Sequence, residues 1–102
     1  ETVIQVVEGY ARSGLENPAI IIDANHSNSS KKFKQQIRVC EEVMQNRLYD
    51  KDFKRNVKGF MIESFIEEGN QAEDKVYGKS ITDPCLGWCD TERLILDIAD
   101  KV

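Results

Sequence analysis

Two short apolar runs constrain the fold of this chain more than any other feature. The first is AIIID, residues 19–23, and the second is VKGFMIESF, residues 57–65. The first run is continuously apolar up to its final aspartate and is flanked by polar turns, which is typical of a strand buried on both faces of a parallel sheet. We therefore predict two strands, one over each run.

Amphipathic segments surround the two predicted strands. Apolar residues at steps of three and four predict helices over residues 1–13, 30–48 and 91–102. Gly14 is a stop signal for the first helix. The polar residues 49–56 predict a loop, and residues 66–80, which contain two glycines, predict a long loop.

Short polar side chains precede two of these helices and are candidates to cap them, because their oxygens can accept backbone N–H hydrogen bonds. The candidates are Asn28, Ser29 or Ser30 for the second helix and Asp90 or Thr91 for the last.

The predicted order is helix, strand, helix, strand, long loop, helix. Strands that alternate with amphipathic helices indicate an α/β fold of parallel βα units. Two parallel strands alone leave both outer edges unpaired and an apolar face uncovered. We therefore expect residues 1–102 to be the closing part of a larger α/β sheet or barrel. A broad apolar surface should need the rest of that barrel, or a second copy of the chain, as its partner.

Composition narrows the class of protein. The chain has 102 residues, of which 40% are hydrophobic and 31% charged, and its net charge is −4. That charge argues against nucleic-acid binding, and no apolar run is long enough to cross a membrane. The first residues, ETVIQVVEGY, contain neither an initiator methionine nor a signal-peptide pattern, so we expect the chain to start inside a longer product.

The chain has three cysteines, Cys40, Cys85 and Cys89. Their odd number and the lack of a secretory signal favour reduced thiols in a cytosol or a plastid-like compartment, and we predict a cytoplasmic location. Cys85 and Cys89 are four residues apart and do not form a CxxC pair. Their default interpretation is buried or unused thiols rather than a shared metal site.

Polar residues follow both predicted strands. His26, the only histidine, lies just past the first strand, Glu63 lies near the end of the second, and Asp83 lies in the loop before the last helix. Reactive groups gather at the carboxyl ends of parallel strands, so the three could converge. One imidazole and two carboxylates suit a divalent metal such as Mn, Fe, Co or Zn. Their side-chain tips should then lie within about 5 Å of one another, since metal–ligand bonds are about 2.0–2.3 Å long.

Each of these residues also has a structural interpretation. A lone histidine at a strand end is more often a hydrogen-bonded structural residue, and Asp83, which precedes Pro84, can be a turn former. Glu63 carries more weight, because a charge at the end of a buried strand needs a cation or an ion pair. The residues alone leave both interpretations open.

Three segments carry a resemblance to a known family. IIIDANHSNSSKKFKQQ, MIESFIEEGNQ and YGKSITDPCLGWCDTE resemble the C-terminal part of the metal-dependent 3-deoxy-D-arabino-heptulosonate 7-phosphate (DAHP) synthases, the feedback-regulated bacterial and fungal type. The resemblance implies the last portion of a (β/α)8 barrel. Residues 19–23 would be strand seven, residues 57–65 strand eight, and the three helices would be helices six, seven and eight.

The resemblance also implies an activity and a metal site. DAHP synthases condense phosphoenolpyruvate with erythrose 4-phosphate to give DAHP and phosphate, the first step of the shikimate pathway to aromatic amino acids. His26, Glu63 and Asp83 match three of the four family metal ligands and would be catalytic. The fourth is a cysteine from an early βα loop that has no counterpart here, and none of the three cysteines present fills its place. On this basis the 102-residue chain alone should be inactive.

Lys79, in YGKS, would sit at the same face and could neutralise substrate phosphate, although a solvent-exposed lysine is an equally good interpretation. Two other readings compete with the synthase. One is a non-catalytic barrel fragment retained for subunit assembly, and the other is a different metal-dependent lyase or aldolase. The three matching ligands argue against the first, and the GNQ and YGKSITD matches argue against the second.

Overall fold

The part of the chain that the structure describes forms two parallel strands and four helices. A computed structural model describes residues 2–14, 16–26 and 32–102. In chain order the elements are α1 (Thr2–Ser13), β1 (Ile20–Asp23), α2 (Gln35–Tyr49), α3 (Lys51–Asn56), β2 (Val57–Met61) and α4 (Trp88–Lys101). The α/β class and the parallel arrangement predicted from the apolar runs are confirmed at the level of this two-stranded sheet.

The two strands lie side by side and end at the same level. Ile22 pairs with Phe60 and Asp23 with Met61, after an irregularity in register near Ile20. The chain of β1 then turns away, because His26 adopts a left-handed backbone conformation with φ of 52°. The predicted strand 57–65 is therefore too long, since β2 loses its β1 neighbour after Met61.

The core lies on one face of this sheet. Ala24 is buried there together with residues from α2, α4 and the segment before α4, namely Val39, Cys40, Leu86 and Leu94. Ile22 of β1 and Phe60 of β2 pack against that cluster. On the opposite face Ile21 and Met61 stay 59% and 48% exposed. Helices α2 and α4 thus cover one side of the strands, and the other side presents apolar side chains.

Helix α1 ends as predicted, at a glycine. Gly14 follows the last helical residue and has a φ of +69°, a conformation that glycine adopts without the steric cost of a Cβ. None of the residues of α1 is buried, and the helix contacts α3. Its apolar stripe therefore contributes little to the core of the described chain.

The starts of α2 and α4 differ from the prediction. Helix α2 begins at Gln35, and Lys34 occupies its N-cap position; the candidate caps Asn28, Ser29 and Ser30 lie outside the described residues. Helix α4 begins at Trp88 with Gly87 at the N-cap, so the proposed caps Asp90 and Thr91 are wrong. The Thr91 hydroxyl instead donates to the Gly87 carbonyl at 2.8 Å, from inside the first turn.

The predicted loop 49–56 is also wrong, because most of it forms α3. Asp50 lies between α2 and α3, and its carboxylate accepts the backbone N–H groups of Asp52 and Phe53 at 3.0 and 3.1 Å. This satisfies two of the donors that a helix start leaves open, so a polar segment without an apolar stripe becomes helical.

The long connection between β2 and α4 is irregular but ordered by backbone pairing. Ser64 pairs with Leu86 in parallel, and Gly69 pairs with Cys85 in antiparallel orientation. Gly78 has a φ of +75°, and a Cβ there would lie 2.8 Å from the Cβ of Ile66. The loop can therefore fold back on itself only with glycine at this position.

Among the described residues, no helix is both long and apolar enough to span a membrane.

Candidate metal centre

His26 is presented by the turn that follows β1. Asp23, the last residue of β1, accepts the backbone N–H of Asn25 at 2.9 Å through Oδ1. Its other oxygen, Oδ2, lies 2.9 Å from His26 Nδ1. Left-handed backbone is tolerated by histidine better than by most side chains, and here the aspartate holds the turn from within. With Nδ1 engaged by Asp23, the opposite ring nitrogen, Nε2, faces the rest of the site.

Glu63 and Asp83 meet that nitrogen. Glu63 Oε1 lies 3.0 Å and Asp83 Oδ2 lies 3.5 Å from His26 Nε2. One ligand atom from each of the three residues falls within 4.8 Å of the others. The structure therefore brings together the three residues singled out in the sequence, with the spacing expected for groups that share one ion.

Asp83 reaches the site because its segment is docked beside the end of β2. The Leu86 N–H donates to the Glu63 carbonyl at 3.1 Å, and the Phe65 N–H donates to the Leu86 carbonyl at 2.9 Å. These bonds continue a parallel ladder past the end of β2. Asp83, which lies 22 positions after the last residue of β2, is thus held beside the residues that directly follow that strand.

The Glu63 side chain is oriented by its neighbours. The Asn25 amide donates to Glu63 Oε2 at 2.8 Å, and Asn25 is only 4% exposed. Because Oε2 is engaged, Oε1 is the oxygen directed at His26. The buried Gln36 of α2 hydrogen-bonds the Glu63 backbone.

The electrostatics of the cluster favour a cation. Three carboxylates, Asp23, Glu63 and Asp83, lie within 3.5 Å of one imidazole ring. The Asp23 hydrogen bond, together with the negative charges of all three carboxylates, outweighs desolvation and raises the pKa of His26. Burial acts to raise the pKa of Asp23, but the hydrogen bonds from Asn25 and His26 outweigh it and lower that pKa. Protonation of His26 would offset only one of these three negative charges.

The donor set fits a divalent metal ion. Two ligands at about 2.1 Å on one tetrahedral ion stand about 3.4 Å apart, close to the 3.0 and 3.5 Å measured from Nε2. An imidazole nitrogen with carboxylate oxygens suits Mn, Fe, Co or Zn. An aspartate on the other ring nitrogen is the usual support of a metal-bound histidine. A cavity of about 220 Å³ lined by Asn25, His26, Asp83 and Pro84 opens beside these groups.

The remaining sequence candidates lie outside this constellation. Lys79 has its backbone carbonyl bonded by Gln71, and within the described part of the chain its ammonium forms no ion pair. Burial raises the pKa of Cys40 to about 11, and Cys40 packs in the core. The buried Cys85 donates through Sγ to the Asp83 carbonyl at 3.3 Å, and Cys89 is exposed.

Sequence reasoning missed three residues that shape the site: Asp23, Asn25 and Gln36. Asp23 and Asn25 precede the histidine by three residues and one residue, so a strand-ending aspartate and an amide close to a candidate ligand are a usable signal. Gln36 carries no such signal, because a glutamine in an amphipathic helix has the same pattern whether it faces water or a strand end.

Comparisons with known proteins identify the family of this chain. Residues 4–95 match the model of the DAHP synthetase I family. The Phe-sensitive phospho-2-dehydro-3-deoxyheptonate aldolase of Escherichia coli K12 is 44% identical over 105 aligned positions, which cover 98% of this chain and 29% of that enzyme. A phospho-2-dehydro-3-deoxyheptonate aldolase of Haemophilus influenzae is 38% identical and covers 83% of this chain and 24% of its own length.

A solved structure is similar as well. The phospho-2-dehydro-3-deoxyheptonate aldolase of Francisella tularensis SCHU S4 superimposes with a TM-score of 0.85 at 26% identity, over 98% of this chain and 29% of that one. The chain thus spans less than a third of the length of these relatives. With a family match over residues 4–95 and a relative 44% identical along almost all of its length, the chain belongs to the DAHP synthetase I family.

Proposed function

We propose that the intact protein containing this chain is a DAHP synthase. It would condense phosphoenolpyruvate with erythrose 4-phosphate and release DAHP and inorganic phosphate, in the first step of the shikimate pathway. The observation that carries the proposal is the meeting of His26, Glu63 and Asp83 within 4.8 Å, at the carboxyl end of two parallel strands, in a chain of this family. The names of the relatives support the same activity.

The proposed fold of the intact protein is a (β/α)8 barrel of which this chain forms the C-terminal portion. The parallel pairing of β1 and β2, and the packing of α2 and α4 together on one face of them, support this arrangement. Ile21 and Met61 on the open face would meet side chains of the other strands. The rest of the barrel is therefore the proposed partner of this chain, and the chain alone should have no synthase activity.

His26, Glu63 and Asp83 are the residues proposed to hold the divalent metal. When bound, the ion would supply Lewis acidity toward the aldehyde oxygen of erythrose 4-phosphate. In the overall reaction C3 of phosphoenolpyruvate bonds to the aldehyde carbon and the aldehyde oxygen takes up a proton. Water adds its oxygen at C2, and the C–O bond to phosphate breaks.

The residues of this chain would contribute orientation and proton handling. Asp23 holds His26 Nδ1 and so keeps Nε2 directed into the site, while Asn25 holds Glu63 Oε2. The Asp83 side chain is the most exposed of the three proposed ligands, at 64%, so we assign proton exchange with substrate or water to its carboxylate oxygens. Lys79, in the same connection between β2 and α4, is a weaker candidate to bind a substrate phosphate. A cytoplasmic location stays a prediction.

The test is phosphate release by the full-length protein. Phosphate should appear from phosphoenolpyruvate only when erythrose 4-phosphate is present, should cease after chelation and dialysis, and should return with Mn²⁺ or Co²⁺. Folded, metal-supplied protein that releases no phosphate in the presence of both substrates would refute the proposal. Equal turnover with a different aldose phosphate in place of erythrose 4-phosphate would instead favour another metal-dependent aldolase.

A further inference from the structure

A buried glutamine of α2 contacts the backbone of one proposed ligand. Gln36 is fully buried, with 0% of its surface exposed. Its Oε1 accepts the Glu63 N–H at 2.8 Å, and its Nε2 donates to the Glu63 carbonyl at 3.1 Å. Burying a primary amide is costly unless its groups are hydrogen-bonded, and here both of its polar atoms bond the same residue.

The position of this contact along the sheet explains why an amide is needed. The ladder between the strands continues to the bond from the Ala24 N–H to the Met61 carbonyl, at 3.0 Å. Beyond it the chain of β1 turns away at His26, while the chain that leaves β2 at Met61 runs on to Glu63. The Gln36 carboxamide offers one acceptor and one donor, as a peptide unit does, and takes the place of the departed strand at Glu63.

This contact joins the parts of the site. The Glu63 carbonyl also accepts the N–H of Leu86, from the segment that carries Asp83. The backbone of Glu63 is therefore held both by α2 and by the Asp83 segment. The Glu63 carboxylate is held separately, through Oε2, by Asn25.

We infer that Gln36 is a positioning residue of the metal centre, one that fixes the Glu63 backbone so that Oε1 meets His26 Nε2. The inference rests on the proposed function, since it requires that Glu63 bind the ion. A metal site needs its ligands held to within about 0.5 Å, and the loss of an outer hydrogen-bonding partner typically weakens metal affinity by about 10- to 100-fold. Gln36 acts only through Glu63 and is not itself a ligand.

The test uses the full-length protein, stripped of metal and titrated with Co²⁺, whose absorption spectrum reports its ligands. Gln36→Met keeps the unbranched shape and removes both hydrogen bonds. Gln35→Met is the matched control, because Gln35 is the adjacent residue of α2 and its side chain, among the described residues, accepts a hydrogen bond only from the exposed Arg38. We expect the Co²⁺ dissociation constant to rise by about 10- to 100-fold in Gln36→Met, with an altered spectrum, and to stay at the parental value in Gln35→Met.

Three outcomes would overturn the inference or its basis. A Gln36→Met protein that melts at a lower temperature but keeps the parental affinity and spectrum would show a purely structural glutamine. If that variant does not fold, Gln36→Asn decides, because it keeps the amide but is one methylene too short to reach both backbone atoms; parental binding there would equally refute the inference. If the His26→Ala protein binds Co²⁺ with the parental affinity, the metal site itself is refuted.

Discussion

The charged side chains at the carboxyl end of the strands and those on the outer face of α2 form two places that differ in their balance of charge. At the strand ends, three carboxylates surround His26 at 2.9–3.5 Å. On α2, Arg38 Nη1 lies 2.6 Å from Glu42 Oε1, one helical turn away. The first group carries an excess of negative charge and the second is balanced.

The two places also differ in how they are built. Asp23, Glu63 and Asp83 are far apart in sequence and are brought together by backbone bonds and buried amides. Arg38 and Glu42 are four residues apart, 51% and 64% exposed, and meet because any helix places such residues together. An excess of negative charge brought together from several distant segments indicates a site for an external cation. A charge-balanced ion pair within one helix indicates a solvated surface.

The largest expected effect is at the strand ends. His26→Ala in the full-length protein removes the proposed nitrogen ligand and leaves the carboxylates without a central partner. Loss of a residue that hydrogen-bonds a metal ligand typically weakens metal affinity by at most ~100-fold. We expect the loss of His26 to weaken it by more than this and to abolish activity. Metal content after dialysis and phosphate release from phosphoenolpyruvate measure the two effects.

The matched control for this change is Lys34→Ala. Lys34 pairs with Glu68 at 3.5 Å, with both side chains more than half exposed. The free energy of unfolding of the Lys34→Ala protein should differ from the parental value by no more than about 0.5 kcal/mol, and its metal content should not change. A His26→Ala protein with full activity and normal metal content would erase the distinction between the two places.

A smaller effect is expected from pH. Asp23 and the neighbouring carboxylates raise the pKa of His26, so a proton competes with the metal up to a higher pH than for an ordinary histidine. Affinity for Co²⁺ should therefore fall about tenfold per pH unit below that pKa and level off above it. Asp23→Asn should move this midpoint to lower pH while weakening binding at neutral pH.

The metal-free protein should show the opposite trend. Because folding raises the pKa of His26, the stabilisation from protonated His26 is present in acid and is lost as the pH rises through that pKa. Melting temperatures of the metal-free and Co²⁺-bound protein, measured across the same pH range, separate the two effects. A Co²⁺ dissociation constant independent of pH would mean that His26 is not a ligand.

The sequence allowed the position of the site to be predicted but not its supports. His26 and Glu63 follow apolar runs, so the rule that parallel strands end at one edge was enough to bring them together. Gln36 and Leu86 act through backbone bonds of Glu63, and no pattern of side-chain types reports where a backbone N–H will find its acceptor. The helix α3 was missed for a similar reason, since it is set by the Asp50 cap rather than by an apolar stripe.

The boundaries of the strands were predicted less well than their existence. Residues 57–65 form a single run of strand-like character, but β2 ends at Met61 because its neighbour stops there. The end of β1 depends in turn on the left-handed backbone of His26, which is a property of the folded turn. Strand length in this chain is therefore decided by pairing between distant segments, which a local pattern does not contain.

The smallest expected effect is on the outer face of α2. Arg38→Ala removes the ion pair with Glu42 and the 2.6 Å hydrogen bond to Gln35 Oε1. Both are exposed, and the arginine precedes the glutamate, which is the less favourable order along a helix dipole. We expect the free energy of unfolding to fall by about 0.5 kcal/mol or less, and the difference to shrink further in high salt. Denaturant unfolding at two salt concentrations measures this change in the free energy of unfolding.

The same variant should leave the Co²⁺ affinity unchanged. Arg38 and Gln36 lie two residues apart on α2 but face opposite ways, since Arg38 is exposed and Gln36 is buried. A tenfold loss of affinity in Arg38→Ala would show that the outer charges of α2 belong to the metal centre, and the contrast between the two places would fail.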